Sequence, residues 1–237
     1  MNNINQRTGT IVLTHAAWFD GSSWNKVTAA LQDKGYDVVS VQIPLTSLSE
    51  DVAAVRRALA RVDGPVVLAG HSYGGAVITA AGAGDKKVKG LVYIAAIVPD
   101  AGETVGAIFQ REASHPEAPT LQPDENGLLW VDLGAFENAI SPDAGHRDNL
   151  LLNANQRPIS VNCLGETLPS AAWREKPSWF LIVENDRMFS PETQRFLAKR
   201  MSSKVTSIKA DHAPLITRPE AVIEIIEAAA SVVLGLH

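Results

Sequence analysis

The sequence lacks several features that mark particular classes of protein. It has one cysteine, Cys163, which excludes an internal disulfide and a metal site built on cysteines. Its formal net charge is −5, so it has no basic excess for binding nucleic acid. No apolar run approaches the roughly 20 residues of a membrane span, and no N-terminal segment has the pattern of a secretory signal. We therefore expect a cytoplasmic protein with no nucleic-acid or membrane partner, and the composition permits a homo-oligomer.

Short apolar runs alternate with helical patterns along most of the chain. Most runs are nearly continuous in Val, Ile, Leu and Ala, which is typical of a parallel sheet covered on both faces. This alternation predicts an α/β fold with a doubly wound, mostly parallel sheet. The predicted strands are Thr10–Thr14, Asp37–Ile43, Val66–Ala69, Val88–Ala96, Ser178–Glu184 and Lys204–Lys209, and the predicted helices are Ser23–Lys34, Leu48–Arg61, Pro191–Met201 and Pro219–Leu234.

One stretch interrupts the alternation. Residues 99–177 have no convincing strand and are rich in Pro, Ala, Asn and Asp, although helical patterns occur near Gly134–Ala139 and Gly145–Ala154. The stretch also contains leucines and tryptophans, which disordered segments lack. Because it lies between two predicted strands, we expect an inserted helical cap on a core formed by residues 1–98 and 178–237. Long insertions of this kind are commonly functional lids.

The stretch Gly70–Gly75 carries the strongest chemical signal. It has the pattern Gly-x-Ser-x-Gly, it follows an apolar run, and it precedes small residues that permit a helix. A strand, a sharp turn and a helix with serine at the turn form a nucleophile elbow. A Cβ atom at Gly70 or Gly74 would clash with the neighbouring strand or helix. The pattern therefore predicts Ser72 as a nucleophile, with the positive end of the helix directed at the group under attack.

A serine nucleophile needs a general base, and the base needs an acid that orients it. His212 follows the last predicted strand, where the order of residues in this type of fold places the base. The acid should follow the preceding strand, where Glu184 and Asp186 both occur. We favour Asp186 because it lies in the loop beyond the strand and can reach His212. We interpret Asp211, the sequence neighbour of the base, as a turn-forming residue.

An oxyanion hole needs two backbone N–H groups. The first is expected at Tyr73, directly after the nucleophile. The second is expected in the loop after the first strand, at Ala17, with Ala16 as the alternative donor. Ala16 is also a candidate contact to the substrate.

Three apolar residues of the predicted cap are candidates for the wall of a substrate pocket above the serine: Trp130, Leu151 and Trp173. Each could equally well pack the cap onto the sheet. No His, Asp or Glu cluster has the spacing of a metal site, and the glycine patterns for phosphate and dinucleotide binding are incomplete. We therefore expect neither a metal nor a cofactor.

Several segments together resemble the α/β-hydrolase superfamily, and the resemblance covers nearly the whole chain. They are Val12–Trp18 with Trp24, Gly70–Gly75, Glu184–Gln194 and Asp211–Pro214. The sequence is most similar to the compact, cofactor-free branch of plant methyl-ester esterases, hydroxynitrile lyases and bacterial esterase-like proteins. The resemblance implies a catalytic triad of Ser72, Asp186 and His212. It also implies that Ala17 and Tyr73 are the oxyanion donors.

The same resemblance separates two activities of that branch. The lyases carry a threonine in the oxyanion loop and a lysine directly after the catalytic histidine, whereas this sequence has Ala16 and Ala213. Neither alanine side chain can donate a hydrogen bond or a positive charge. The expected function is therefore hydrolysis of small or medium carboxylic esters through an acyl-enzyme. A lyase or other cofactor-free reaction on the same triad, and a non-catalytic module that binds a small ligand, are the alternatives.

Overall fold

A parallel sheet of six strands forms the centre of the computed structural model, which describes residues 9–235. The strands are β1 (Thr10–Thr14), β2 (Asp37–Val41), β3 (Val66–His71), β4 (Val88–Ile94), β5 (Leu128–Leu129), β6 (Ile159–Ser160), β7 (Ser178–Val183) and β8 (Lys204–Ile208). The sheet order is β2-β1-β3-β4-β7-β8, and every neighbouring pair is parallel. Strands β5 and β6 form a separate antiparallel pair.

Helices cover both faces of the sheet, so the predicted doubly wound α/β fold is confirmed. They are α1 (Asn25–Asp33), α2 (Leu48–Ala60), α3 (Tyr73–Ala81), α4 (Val105–Phe109), α5 (Leu133–Ala135), α6 (His146–Ala154), α7 (Val161–Gly165), α8 (Pro191–Arg200), α9 (Pro214–Thr217) and α10 (Pro219–Leu234). Short 3-10 turns lie at Gly21–Trp24 and Ala172–Arg174, and a π-helical turn, Phe136–Ile140, follows α5.

Alternate residues of each central strand enter two different hydrophobic cores. In β1, Ile11 and Leu13 pack with α1 and α10, whereas Val12 faces the core that contains residues of α2, α3 and α8. All three side chains are fully buried. This arrangement explains why the strand sequence is almost continuously apolar, since neither face of a parallel sheet between helices meets water.

The predicted element boundaries differ from the structure at a few ends. The helix expected over Ser23–Lys34 begins with the 3-10 turn and becomes α-helical at Asn25. Strand β2 ends at Val41, short of the expected Ile43. The backbone N–H of Ile43 donates instead to the Nε2 atom of His15, at 3.1 Å. A side chain thus replaces the neighbouring strand as the hydrogen-bond partner there.

Residues 99–177, called the insert below, lie between β4 and β7. They contain α4 to α7, in agreement with the expected helical patterns, and also the short β5–β6 pair, which the sequence did not predict. The insert is hydrogen-bonded to the sheet domain, for example from Ser160 N to Leu45 O at 2.9 Å. Between residues 9 and 235, no helix has both the length and the apolar character required to cross a bilayer.

Candidate active site

Ser72 lies at a sharp turn between β3 and α3. Its φ of 50° is in the left-handed region, which is strained for a residue with a side chain. The turn is possible because glycines flank it: an added Cβ would lie 2.5 Å from Gly74 O at position 70, and 2.6 Å from Thr14 O at position 74. The clashes expected from the sequence are thus present, and the serine side chain stands at the carboxyl edge of the sheet.

The structure brings Ser72, His212 and Asp186 into one hydrogen-bonded chain. His212 Nε2 lies 2.9 Å from Ser72 Oγ, and His212 Nδ1 lies 2.8 Å from Asp186 Oδ2. All three residues are buried. Because their loops follow β3, β7 and β8 at the same edge of a parallel sheet, residues distant in sequence meet there.

Asp186 is held by four hydrogen bonds. Its Oδ1 atom accepts from the N–H groups of Met188 (2.9 Å) and Phe189 (2.8 Å), and its Oδ2 atom accepts from Gln194 (2.8 Å) as well as His212. Two carboxylate oxygens offer about four lone-pair sites, so the donors saturate this group. Donors on both oxygens fix the plane of the carboxylate.

The alternative carboxylates occupy other environments. Glu184 accepts hydrogen bonds from Arg195, at 2.7 Å, and from the Ser207 hydroxyl. Asp211 accepts from the Ala213 N–H at 3.1 Å, which agrees with the expected turn. Asp211 also accepts from the Asp143 N–H in the insert at 3.0 Å, and burial raises its pKa. Of these three carboxylates, Asp186 is the one within hydrogen-bond distance of the His212 ring.

A second buried histidine, His71, holds the loop that carries His212. His71 precedes the serine in the elbow, and its Nε2 atom lies 2.6 Å from the backbone oxygen of His212. Burial, followed by the proximity of His212, lowers the pKa of His71 well below its ordinary value. The neutral ring therefore donates from Nε2, and its bare Nδ1 has no partner in the part of the chain that is described. Nothing in the sequence motif pointed to this contact.

The expected oxyanion donors lie beside the serine. Ala17 and Tyr73 both line the cavity that contains Ser72, and Tyr73 begins α3, where backbone N–H groups lack intrahelical acceptors. Ala17 lines this cavity and Ala16 does not, which favours Ala17 as the second donor.

His15 fixes the peptide between those two alanines. Its Nδ1 atom lies 2.9 Å from Ala16 O, while Nε2 accepts from the Ile43 N–H. Burial lowers the pKa of His15 to about 4, so the ring is neutral and Nδ1 carries the proton. In a trans peptide the C=O and N–H bonds point in opposite directions, so holding Ala16 O also orients the Ala17 N–H. Ala16 itself lies outside the cavity lining, contrary to its expected contact with substrate.

A cavity lies above the serine. Its lining is almost entirely apolar and includes Ser72. The sheet domain contributes Ala17, Trp18, Ile97 and Met188, and the insert contributes Phe109, Leu121, Leu129, Ile159 and Leu164.

The three cap residues expected to wall this cavity do not do so. Trp130 is 49% exposed and Leu151 is 52% exposed. Trp173 is buried, but its indole N–H donates to Pro99 O at 3.3 Å, away from the cavity. Leu129, the last residue of β5, lines the cavity instead. Trp130 directly follows the strand, and its indole N–H donates to Asp124 Oδ2 at 3.2 Å.

Tyr73 connects the site to a buried carboxyl group. Its hydroxyl donates to Asp51 Oδ2 at 2.6 Å, and the Leu45 N–H donates to Oδ1 at 2.7 Å. The Cys163 thiol of the insert lies 3.6 Å from the same Oδ2. Burial raises the pKa of Asp51 to about 6 and that of Cys163 to about 12, so the cysteine is a protonated, buried residue rather than a nucleophile.

Comparison with known proteins identifies the family. A family model described as the alpha/beta hydrolase family matches residues 11–225. The chain belongs to the alpha/beta hydrolase family. The resemblance inferred from the sequence is therefore confirmed.

Individual relatives of this alpha/beta hydrolase span nearly its whole length. An alpha/beta hydrolase of Aspergillus novofumigatus is 26% identical over 93% of this chain and 96% of its own. Methylesterase 2 of Arabidopsis thaliana is 24% identical over 91% of this chain and 93% of its own. A crystal structure of a pyrethroid hydrolase from Sphingobium faniae superposes with a TM-score of 0.80, at 25% identity over 94% of this chain and 97% of that one. These similarities support an ester hydrolase, the enzyme class expected from the sequence.

Proposed function

We propose that this alpha/beta hydrolase is a serine esterase that cleaves small or medium carboxylic esters through an acyl-enzyme. The observation that carries the proposal is the unbroken hydrogen-bond chain from Ser72 through His212 to Asp186 beneath an apolar cavity. We further expect it to act in the cytoplasm on a small-molecule ester.

The first half of the reaction forms the acyl-enzyme. His212 Nε2 takes the proton of Ser72 as its Oγ attacks the ester carbonyl carbon. The N–H groups of Ala17 and Tyr73 stabilise the negative charge that develops on the carbonyl oxygen. The imidazolium then gives its proton to the leaving alcohol, while Asp186 stays ionised and stabilises the positive charge on the ring.

The second half releases the acid. With the alcohol gone, neutral His212 takes a proton from a water molecule as its oxygen attacks the acyl carbon. The second tetrahedral intermediate uses the same oxyanion donors. Its collapse returns the proton to Ser72 and frees the carboxylic acid, so the enzyme regains its starting state.

The cavity indicates the kind of ester. Its walls carry no charged side chain, so a charged acyl group would lose its hydration without a partner, which is costly. One relative is named a methylesterase, and a protein of similar structure is named a pyrethroid hydrolase. By this likeness we expect neutral, apolar or aromatic esters of modest size to be preferred over long-chain lipids and charged substrates.

A fluorophosphonate probe tests this function directly. We expect it to label the wild-type protein at Ser72 and to block hydrolysis of p-nitrophenyl esters, and we expect no labelling of S72A. A folded wild-type protein that is neither labelled nor active on a panel of p-nitrophenyl esters would overturn the proposal and favour a binding module.

A further inference from the structure

Gln194 is a fully buried amide in the first turn of α8, next to the candidate acid. Its Nε2 atom donates to Asp186 Oδ2 at 2.8 Å and to Phe189 O at 3.0 Å. Its Oε1 atom accepts from the Val183 N–H at 3.1 Å. The side chain therefore touches the strand before the acid, the acid itself and the loop after it.

The partners allow only one orientation of this amide. Two oxygen acceptors lie at one end and one N–H donor lies at the other. Exchanging the amide oxygen and nitrogen would place an acceptor against the Asp186 carboxylate and a donor against the Val183 N–H. The amide of Gln194 is thus locked, and so is the direction of the hydrogen bond that Asp186 receives.

The end of the sheet explains why a side chain is needed here. Strand β4 pairs with β7 as far as Ile94 and Leu181, and the chain then turns at Ala95, whose φ is 45°. The Glu184 N–H donates towards β8, so the Val183 N–H points to the side that β4 has left. Gln194 supplies the missing acceptor and, with the same group, a donor to Asp186.

We propose that Gln194 is a positioning residue for the base: it holds the Asp186 carboxylate in the plane that receives His212 Nδ1 and keeps the neighbourhood of that carboxylate free of a second negative charge. The assignment rests on the proposed function of the triad. Gln194 acts through Asp186 and touches neither the nucleophile nor the cavity.

The electrostatic part of this role follows from the amide being neutral. The titratable groups around the acid and base include His71, whose ring centroid lies 5.2 Å from that of His212, and the buried carboxyl group of Asp211 next to the base in sequence. Asp186 also borders a surface pocket that is lined by His115 and by the charged residues Glu112, Arg187 and Glu192. The ion pair of Glu184 and Arg195 lies at the partly exposed surface. A carboxylate at position 194 would introduce a like charge at hydrogen-bond distance from Asp186.

Two substitutions separate the two parts of the role. Q194E keeps the shape but puts a carboxyl oxygen 2.8 Å from Asp186. When this added group ionises, the extra negative charge favours protonated His212, which cannot act as a base. We expect the pH of half-maximal kcat/KM to rise by about one unit or more. Q194M removes the donor, and we expect kcat to fall about 10- to 100-fold with KM unchanged within about 2-fold.

The matched control is L197A. Leu197 is fully buried on the same helix and makes no hydrogen bond to the acid, so the substitution loosens α8 without touching Asp186. We expect L197A to lower Tm at least as much as Q194M, to change kcat less than about 3-fold, and to leave the pH profile unmoved.

A second readout does not depend on ester hydrolysis. The titration midpoint of the His212 imidazole is followed by NMR of its ring nitrogens in the free protein, and we expect it to move upward in Q194E and not in L197A. An unmoved midpoint in Q194E, or an equal shift in L197A, would overturn the positioning role. If Q194E does not fold, a kcat loss in Q194M no larger than that in L197A at matched Tm overturns it. If neither the wild type nor any variant hydrolyses esters, the proposed function fails while the NMR titration still decides the role of Gln194.

Discussion

The carboxyl edge of the sheet and the insert above it build the two halves of the candidate site by different physical means. At the edge, Ser72, His212 and Asp186 are linked by directional hydrogen bonds of 2.8 and 2.9 Å. The insert instead contributes apolar contacts to the cavity, such as those of Leu129 and Leu164. A hydrogen bond weakens when its distance or angle departs far from the preferred geometry. An apolar wall, in contrast, can be formed by other apolar side chains of similar volume.

This difference suggests that the sheet edge and the insert have different roles in the reaction. Under the proposed function, we expect a change at the edge to alter whether the reaction occurs and a change in the insert to alter which ester fits. Four measurements test this difference.

The first prediction concerns the nucleophile. We expect S72A to lower the rate of p-nitrophenyl acetate hydrolysis by about 10⁴-fold or more while leaving the fold intact, because the proposed mechanism forms the acyl-enzyme on the Ser72 hydroxyl. S141A is the control: Ser141 is a buried serine of the insert that bonds Asn149 and lies outside the cavity, so its loss affects stability and not chemistry. Near wild-type hydrolysis by S72A would assign the nucleophile elsewhere.

The second prediction separates the two carboxylates after β7. We expect D186N to reduce kcat about 10³- to 10⁴-fold, because asparagine can hold the wrong imidazole tautomer of His212. We expect E184Q to change kcat less than about 3-fold, since Glu184 bonds Arg195 at the surface. Steady-state kinetics on one ester compares them, and equal losses would remove Asp186 from the triad.

The third prediction tests the insert with two adjacent residues. Leu129 faces the cavity and Trp130 faces solvent. We expect L129A to change the ratio of kcat/KM between a bulky and a small ester by about 10-fold, which is the discrimination expected when a few methylene groups leave a pocket. W130A should leave the same ratio within about 2-fold. A uniform loss on all esters in L129A would show that the insert is only a structural cover.

The smallest effect is expected at Asp51, where the two regions meet through Tyr73 and Cys163. Burial raises the pKa of this carboxyl to about 6, from about 4 in an unfolded chain, so the folded state favours the protonated form. That contribution to stability is complete below about pH 4 and is lost as pH rises through 6.

We therefore expect the free energy of unfolding of the wild type to fall, relative to D51N, by about 2 kcal/mol between pH 4 and pH 7. Urea unfolding of both proteins at several pH values measures this difference. A difference that is constant with pH, or that changes in the opposite direction, would show that Asp51 is stabilised as the anion by its donors.

The sequence predicted the residues at the sheet edge because local pattern and chain order determine them. The glycines around Ser72 indicate a tight turn in which a Cβ atom at their positions would clash with the backbone. The loops that follow the last two strands can be located once those strands have been predicted. The choice of Asp186 over Glu184 needed only the length of the loop. The family resemblance added the same three residues and the two oxyanion donors.

The insert was harder to predict because its elements are short. A two-residue strand such as β5 gives no periodicity, so the sequence could not tell that Leu129 faces inward and Trp130 outward. Helix α6 has Leu150 and Leu151 exposed, although leucines usually indicate a buried face. The expected walls were therefore wrong at Trp130, Leu151 and Trp173.

By itself, the sequence determined the α/β architecture and the elbow at Ser72, since hydrophobic periodicity and glycine sterics act over a few neighbouring residues. Tertiary structure alone decided which side chains enclose the cavity and which buried groups support the triad. His71, Gln194 and Asp51 meet their partners only where separate loops converge at the sheet edge, and such contacts depend on distances between elements that no local pattern records.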